Sequence, residues 1–128
     1  MMRLASLALA ASAVLAPVTA NAADDGLAGV WEVDLSSSPA EPYTKDMVLV
    51  LAEDGTVSGS FYDSTIERGQ WIADRGRTCA SFRTSDGVGP YHSAVCLDAS
   101  GTMASGQTWA EQRTFLFNWN ATRKAGGE

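Results

Sequence analysis

Along residues 28–121, apolar and polar side chains alternate in short runs that Gly, Asp, Ser or Pro interrupts every few residues. In "TVSGSFY" (56–62), Val57, Gly59 and Phe61 fall on one face and Thr56, Ser58, Ser60 and Tyr62 on the other, the period-two mark of a half-buried strand. "RTFLFNW" likewise puts Phe115, Phe117 and Trp119 on one side. No segment of this region keeps an apolar stripe at helical spacing for three turns, so helix is minor at most. The pattern predicts eight strands, at 28–35, 45–52, 56–62, 65–73, 77–84, 91–98, 102–109 and 112–121.

The connections sort into two kinds. "EDGT", "ADRGR" and "DASGT" are tight and alike, with Asp and Gly supplying the backbone freedom that short hairpins need. "SSSPAEPY", "DST", "SDGVGP" and "AEQ" are longer or more varied. In an up-and-down meander, alternate connections lie at opposite ends, so the tight turns close one end and the varied loops gather at the other. Eight antiparallel strands with such short links remove their free edges by closing into a small barrel. A two-sheet sandwich competes, but it needs longer crossovers than this chain has. The expected fold is all-β: an eight-stranded antiparallel up-and-down meander closed into a barrel.

One hairpin carries a staple. "CASFRTSDGVGPYHSAVC" turns at Asp86-Gly87 and Gly89-Pro90. With the turn centred between Gly87 and Val88, Thr84 faces Tyr91, Phe82 faces Ser93 and Cys79 faces Cys96. Cross-strand neighbours of this kind lie within disulfide reach. By alternation the cysteines share the outer face with Arg83 and His92, opposite Ala80, Phe82, Tyr91, Val95 and Leu97.

Composition and the first residues place the chain. "MMRLASLALAASAVLAPVTANA" has one Arg, an apolar run from Leu4 to Val18 and an Ala-Asn-Ala end, the pattern of a secretory signal peptide covering 1–22. Its removal leaves one domain at 23–128, with eight Lys and Arg against fifteen Asp and Glu. An acidic domain without a basic patch points away from nucleic acid and from anionic membranes. The expected location is periplasmic or secreted, where paired cysteines oxidise. Two thiolates with one distant histidine make an incomplete zinc set, and the glycines serve turns, not a phosphate loop. No metal or cofactor is expected.

Catalytic signatures are weak throughout. Ser93, adjacent to His92, points to the other face of its strand, and no Gly-x-Ser-x-Gly elbow occurs. Asp63 with Glu67, or Asp86 with Glu111, suggests a glycosidase pair, but acidic residues in such loops are ordinarily solvated turn formers. "NAT" at Asn120 fits a glycosylation acceptor but falls inside a predicted strand. The expected protein is not an enzyme.

Four Trp, three Tyr and four Phe are many for so small a domain. Trp31, Phe115 and Phe117 are expected in the core. Tyr43, Tyr62, Asp63, Tyr91, Trp109 and Glu111 gather at the long-loop end, with Ser93, Ser105 and Gln107 expected on the inward face. Together with Trp119, all of these except Glu111 are the candidate ligand-binding residues. Glu111, at the same end, completes the polar rim. "MVLVLA" (47–52) is apolar on both faces. It is expected to be covered by the segment 36–44, or else to form a homodimer contact.

Two families show in these motifs. "GVW" at Gly29-Val30-Trp31, with Arg113 or Arg123 near the end, resembles the lipocalin pattern, in which Trp and Arg pack across the closed end of the barrel. "GVWEVDL", "DGTVSGSFYDS", "SGQTW" and "FNWNATR" resemble, in order, the motifs of avidin-like barrels. The Gly-Ser after the first strand and the Trp-bearing middle strand of that family are missing. The resemblance implies a calycin-type barrel, and biotin binding through Asp34, Ser36, Trp109 and Trp119. The functional expectation is a secreted, non-catalytic barrel that binds a small apolar or aromatic ligand at the long-loop end. The alternatives are a macromolecular interaction protein such as a protease inhibitor, and an avidin-like biotin binder.

Overall fold

A computed structural model of the chain describes residues 26–124; the signal peptide expected at 1–22 lies outside the described residues. The strands are β1 (Gly29–Asp34), β2 (Thr44–Leu51), β3 (Thr56–Phe61), β4 (Ser64–Thr65), β5 (Glu67–Asp74), β6 (Arg77–Ser85), β7 (Pro90–Leu97), β8 (Met103–Ala110) and β9 (Phe115–Arg123). All pairings are antiparallel; chain neighbours pair except that β3 pairs with β5 past the two-residue β4, and β1 pairs with β9, so the meander closes into a barrel of eight strands with β4 as an extra. The predicted fold class is the observed one.

The ninth strand comes from the fourth predicted one, which is broken. Tyr62 and Asp63, at φ 55° and 65°, make a two-residue turn that folds β4 back onto β3. Ile66 then buries its side chain and its N–H bonds Gly59 O, and a bulge between Glu67 and Gln70 carries the chain into β5. The last strand begins at Phe115 and not at 112, because Thr114 takes a left-handed φ of 58° at the loop's end.

The two ends differ as expected. Tight turns at 52–55, 75–76 and 98–102 lie at one end, with Leu27 buried beside them. There Arg123 lies over the Trp31 ring at 4.4 Å, and its guanidinium donates to the carbonyls of Gly26, Ala28 and Gly101. Trp31 itself donates to Leu27 O at 2.9 Å. Of the two arginines considered from sequence, Arg123 is the one that packs on Trp31. The neighbouring half of the barrel is filled by Trp31, Val33, Met47, Leu49, Val57, Val95 and Ala121.

Cys79 and Cys96 are joined, at paired positions of the β6–β7 ladder. Every pair expected from the turn centre is present, from Cys79 opposite Cys96 to Thr84 opposite Tyr91. The staple lies outside the barrel, since Ala80, Phe82 and Val95 on the alternate positions are buried.

One expectation fails on β2. Met47, Leu49 and Leu51 are buried, but Val50 is 53% exposed on the outer face. The segment 36–43 does not cover it: Leu35 N bonds Tyr43 O, Tyr43 N bonds Ser36 Oγ, and the loop is tied back over the mouth of the barrel.

Candidate functional site

Above the packed half, the barrel is open. A cavity of about 560 Å³ lies at the long-loop end, within the range of small-molecule sites. Its floor is Phe61, which is backed by two buried rings: it stands edge-on to Phe82 at 6.1 Å and tilted against Trp119 at 5.4 Å. Leu35, Phe115 and Phe117 add apolar wall, and Thr84, Ser93 and Thr108 add hydroxyls on three successive strands.

Trp119 occupies its place because β8 leaves room for it. A Cβ on Gly106 would lie 2.4 Å from the indole ring. The indole N–H donates to Thr108 Oγ1 at 2.9 Å, and Thr108 Oγ1 is 2.8 Å from Ser93 Oγ. All three groups are buried, so the chain satisfies polar atoms that would otherwise be costly to bury.

All three tyrosines of the sequence stand around the mouth. Tyr43 and Tyr62 share a hydroxyl–hydroxyl hydrogen bond, which pushes the Tyr62 phenol above its ordinary pKa. The Tyr62 backbone is in the left-handed region, a conformation costing on the order of 1 kcal/mol for a residue with a side chain. The turn thereby brings the ring to the cavity edge. Lys45 lies 5.1 Å from that ring's centre and bonds Asp63 at 2.9 Å.

On the other side of the mouth, Arg113 Nε donates to Tyr91 Oη at 2.6 Å, and Tyr91 donates to Asp86 Oδ2 at 2.9 Å. The Val88 N–H, then the Tyr91 hydroxyl and Arg113, hold the Asp86 carboxyl below its usual range. The bond to Tyr91, with the Asp86 charge further off, raises Arg113. Asp86 and Arg113 are the charged residues of the lining, and both are engaged at the rim.

Of the residues proposed from sequence, Tyr43, Tyr62, Tyr91 and Ser93 come together in the lining, and Trp119 lies beneath it. Asp63 and Glu111 sit at the same end but turn to Lys45 and His92. Ser105, Gln107 and Trp109 are corrections. They lie on the outer face of β8, whose inward positions are Ala104, Gly106, Thr108 and Ala110. Trp109 is 48% exposed and tilted against the His92 ring at 5.5 Å. The physical reason is space: small residues must face Trp119, so the larger ones on β8 point away.

Phe115 is also corrected, from core to an exposed place on the cavity wall, whereas Phe117 packs against the core and lines the cavity as well. Sequence reasoning missed Thr84, Thr108 and the rim role of Arg113. Thr108 was legible: centring the next turn on Ser100-Gly101 pairs Ser93 with Thr108, as observed.

Each member of the carboxylate pairs considered from sequence has a basic partner of its own. Glu67 faces Arg83 at 3.6 Å, Glu111 meets His92 at 2.8 Å, and Asp63 and Asp86 take Lys45 and Arg113. Among the described residues no cluster of His, Cys, Asp or Glu has the makings of a metal site. The biotin set implied by resemblance is split: Asp34 and Trp109 are exposed on the outer wall, Ser36 lines the cavity and Trp119 is buried. No protein-family model matches the chain, and no curated protein does.

Proposed function

We propose that the protein is a non-catalytic binding module that takes one small, largely apolar or aromatic molecule into the mouth of its barrel. The observation that carries this is the half-filled interior: an open cavity of about 560 Å³ walled by Phe61, Phe115 and Phe117, with Phe82 and Trp119 packed behind Phe61. A barrel meant only as a rigid scaffold gains by filling that space, because packing contacts are lost around any void. The calycin resemblance agrees, through the closed eight-strand barrel and the Trp31–Arg123 packing at its blind end. Export to a periplasm or the cell exterior fits the disulfide, and among the described residues no helix is long and apolar enough to cross a membrane.

Native mass spectrometry of protein taken from a periplasm tests the reading. The expected result is added mass that disappears on denaturation, or, for bare protein, saturable uptake of a naphthalene probe. Phe115→Ala should weaken uptake by about tenfold, from some 1.4 kcal/mol of lost apolar contact. Trp109→Ala should leave it unchanged. The reverse pattern would move the site to the outer wall and sink the proposal.

That outer wall supports a second reading, a macromolecular partner. Trp109 and Leu116 are paired across β8 and β9 and are 48% and 59% exposed. Self-association through β2 is a further proposal, resting on the open Val50. Val48→Lys should keep the fold and abolish any concentration-dependent dimer in sedimentation equilibrium. A dimer that persists in the variant would exclude this face.

A further inference from the structure

We infer that the cavity selects molecules carrying a neutral hydrogen-bond acceptor, typically a carbonyl, and that the Ser93 hydroxyl is the group that selects. This rests on the small-molecule reading above and adds the ligand's chemistry to it.

An indole N–H can only donate, so in the Trp119–Thr108 contact Thr108 must accept. Thr108 and Ser93 then bring two hydroxyl hydrogens to the single 2.8 Å gap between their oxygens. One hydrogen spans the gap; the other finds no acceptor among the described residues. A hydroxyl that accepts becomes a better donor, so the favoured order runs one way, from Trp119 to Thr108 to Ser93. The hydrogen left over is on Ser93, which lines the cavity and is only 3% exposed.

A buried donor left unused costs more than a hydrogen bond returns, and unpaired donors are rarer in folded proteins than under-used acceptors. The missing partner is therefore an acceptor. It is neutral because the charges of the lining, Asp86 and Arg113, are held at the rim by Tyr91. A carboxylate beside Ser93 would be desolvated without a cation to compensate. The facing rings are Phe61, Phe115 and Phe117, with Phe82 and Trp119 packed behind Phe61, which suits a flat apolar body. The ligand class is thus a compact aromatic or alicyclic ketone, lactone or amide, with its carbonyl at Ser93 and its body on the rings.

Two probes of one shape test this: 2-acetylnaphthalene, which has the carbonyl, and 2-ethylnaphthalene, which lacks it. The folded, disulfide-bonded protein should bind the ketone about five- to tenfold more tightly, the worth of one net hydrogen bond. The carbonyl stretch of bound ketone should lie below its value in hydrocarbon solvent. Ser93→Ala should bring the two affinities together and return the stretch, without weakening the alkyl probe. Thr108→Ser keeps the chain and should keep the preference, which controls for general loosening of the wall. Equal binding of both probes by the natural protein overturns the inference while leaving the pocket standing. Binding of neither probe overturns the pocket reading, and this inference with it.

Discussion

Trp31→Ala should cost about 4 kcal/mol of stability, the largest loss expected from a single side chain in this protein. The ring is fully buried at the centre of the closed end, donates to Leu27 O, and carries the Arg123 guanidinium on its face. Against a total of about 5–15 kcal/mol for a domain, that loss brings the fold close to its limit. Arg123→Ala should cost less, because its site is half-buried and water replaces part of what it donates. Arg123→Lys should not restore the loss, since an ammonium cannot both lie flat on the ring and reach carbonyls on two sides. In a double-mutant cycle of Trp31→Phe and Arg123→Ala, coupling of about 0.5–2 kcal/mol is expected. Urea unfolding followed by circular dichroism reads all of these. A Trp31→Ala midpoint equal to that of the natural protein would show that the closed end is not where the stability resides.

The second large effect is the staple. Replacing Cys79 and Cys96 by Ala together should lower stability by about 3 kcal/mol, from the freedom regained by the unfolded chain. For a domain of this length that corresponds to a fall in melting temperature of roughly 15 °C. Reduction of the natural protein should give the same shift. Binding at lower temperature should survive, because the cysteines face outward while Ser93 and Thr84, on the alternate positions of the same ladder, face in. Calorimetry and probe titration on one sample separate the two. Loss of binding with the melting temperature unchanged would mean that the disulfide shapes the cavity instead of stabilising the fold.

The β6–β7 hairpin shows why part of this structure was legible. Its register follows from the turn centre, and an alternating strand then assigns every side chain to a face. Strand β8 shows the opposite case. "MASGQTWA" offers Met103 and Trp109 on one face and Ala, Gly and Thr on the other, and hydropathy alone favours burying the larger pair. The structure buries the smaller set, because the space in front of Gly106 belongs to Trp119 of the neighbouring strand. The bulge in β5 and the Tyr62–Asp63 turn were likewise not legible from alternation. Asp suits a left-handed turn position but Tyr does not usually take one, and the pairing of β4 on β3 imposes it.

The sequence by itself determined the strand number to within the split of one strand, the antiparallel order, the two kinds of end, and the cysteine pairing. These depend on alternation, on turn chemistry and on neighbours along the chain. Only the tertiary structure decided that Arg123 and not Arg113 lies on Trp31, that Trp109 is outside, and that Phe115 and Phe117 wall an open cavity. Those outcomes depend on which side chains compete for the same volume across a closed barrel, and residues that meet across it can be far apart in the chain.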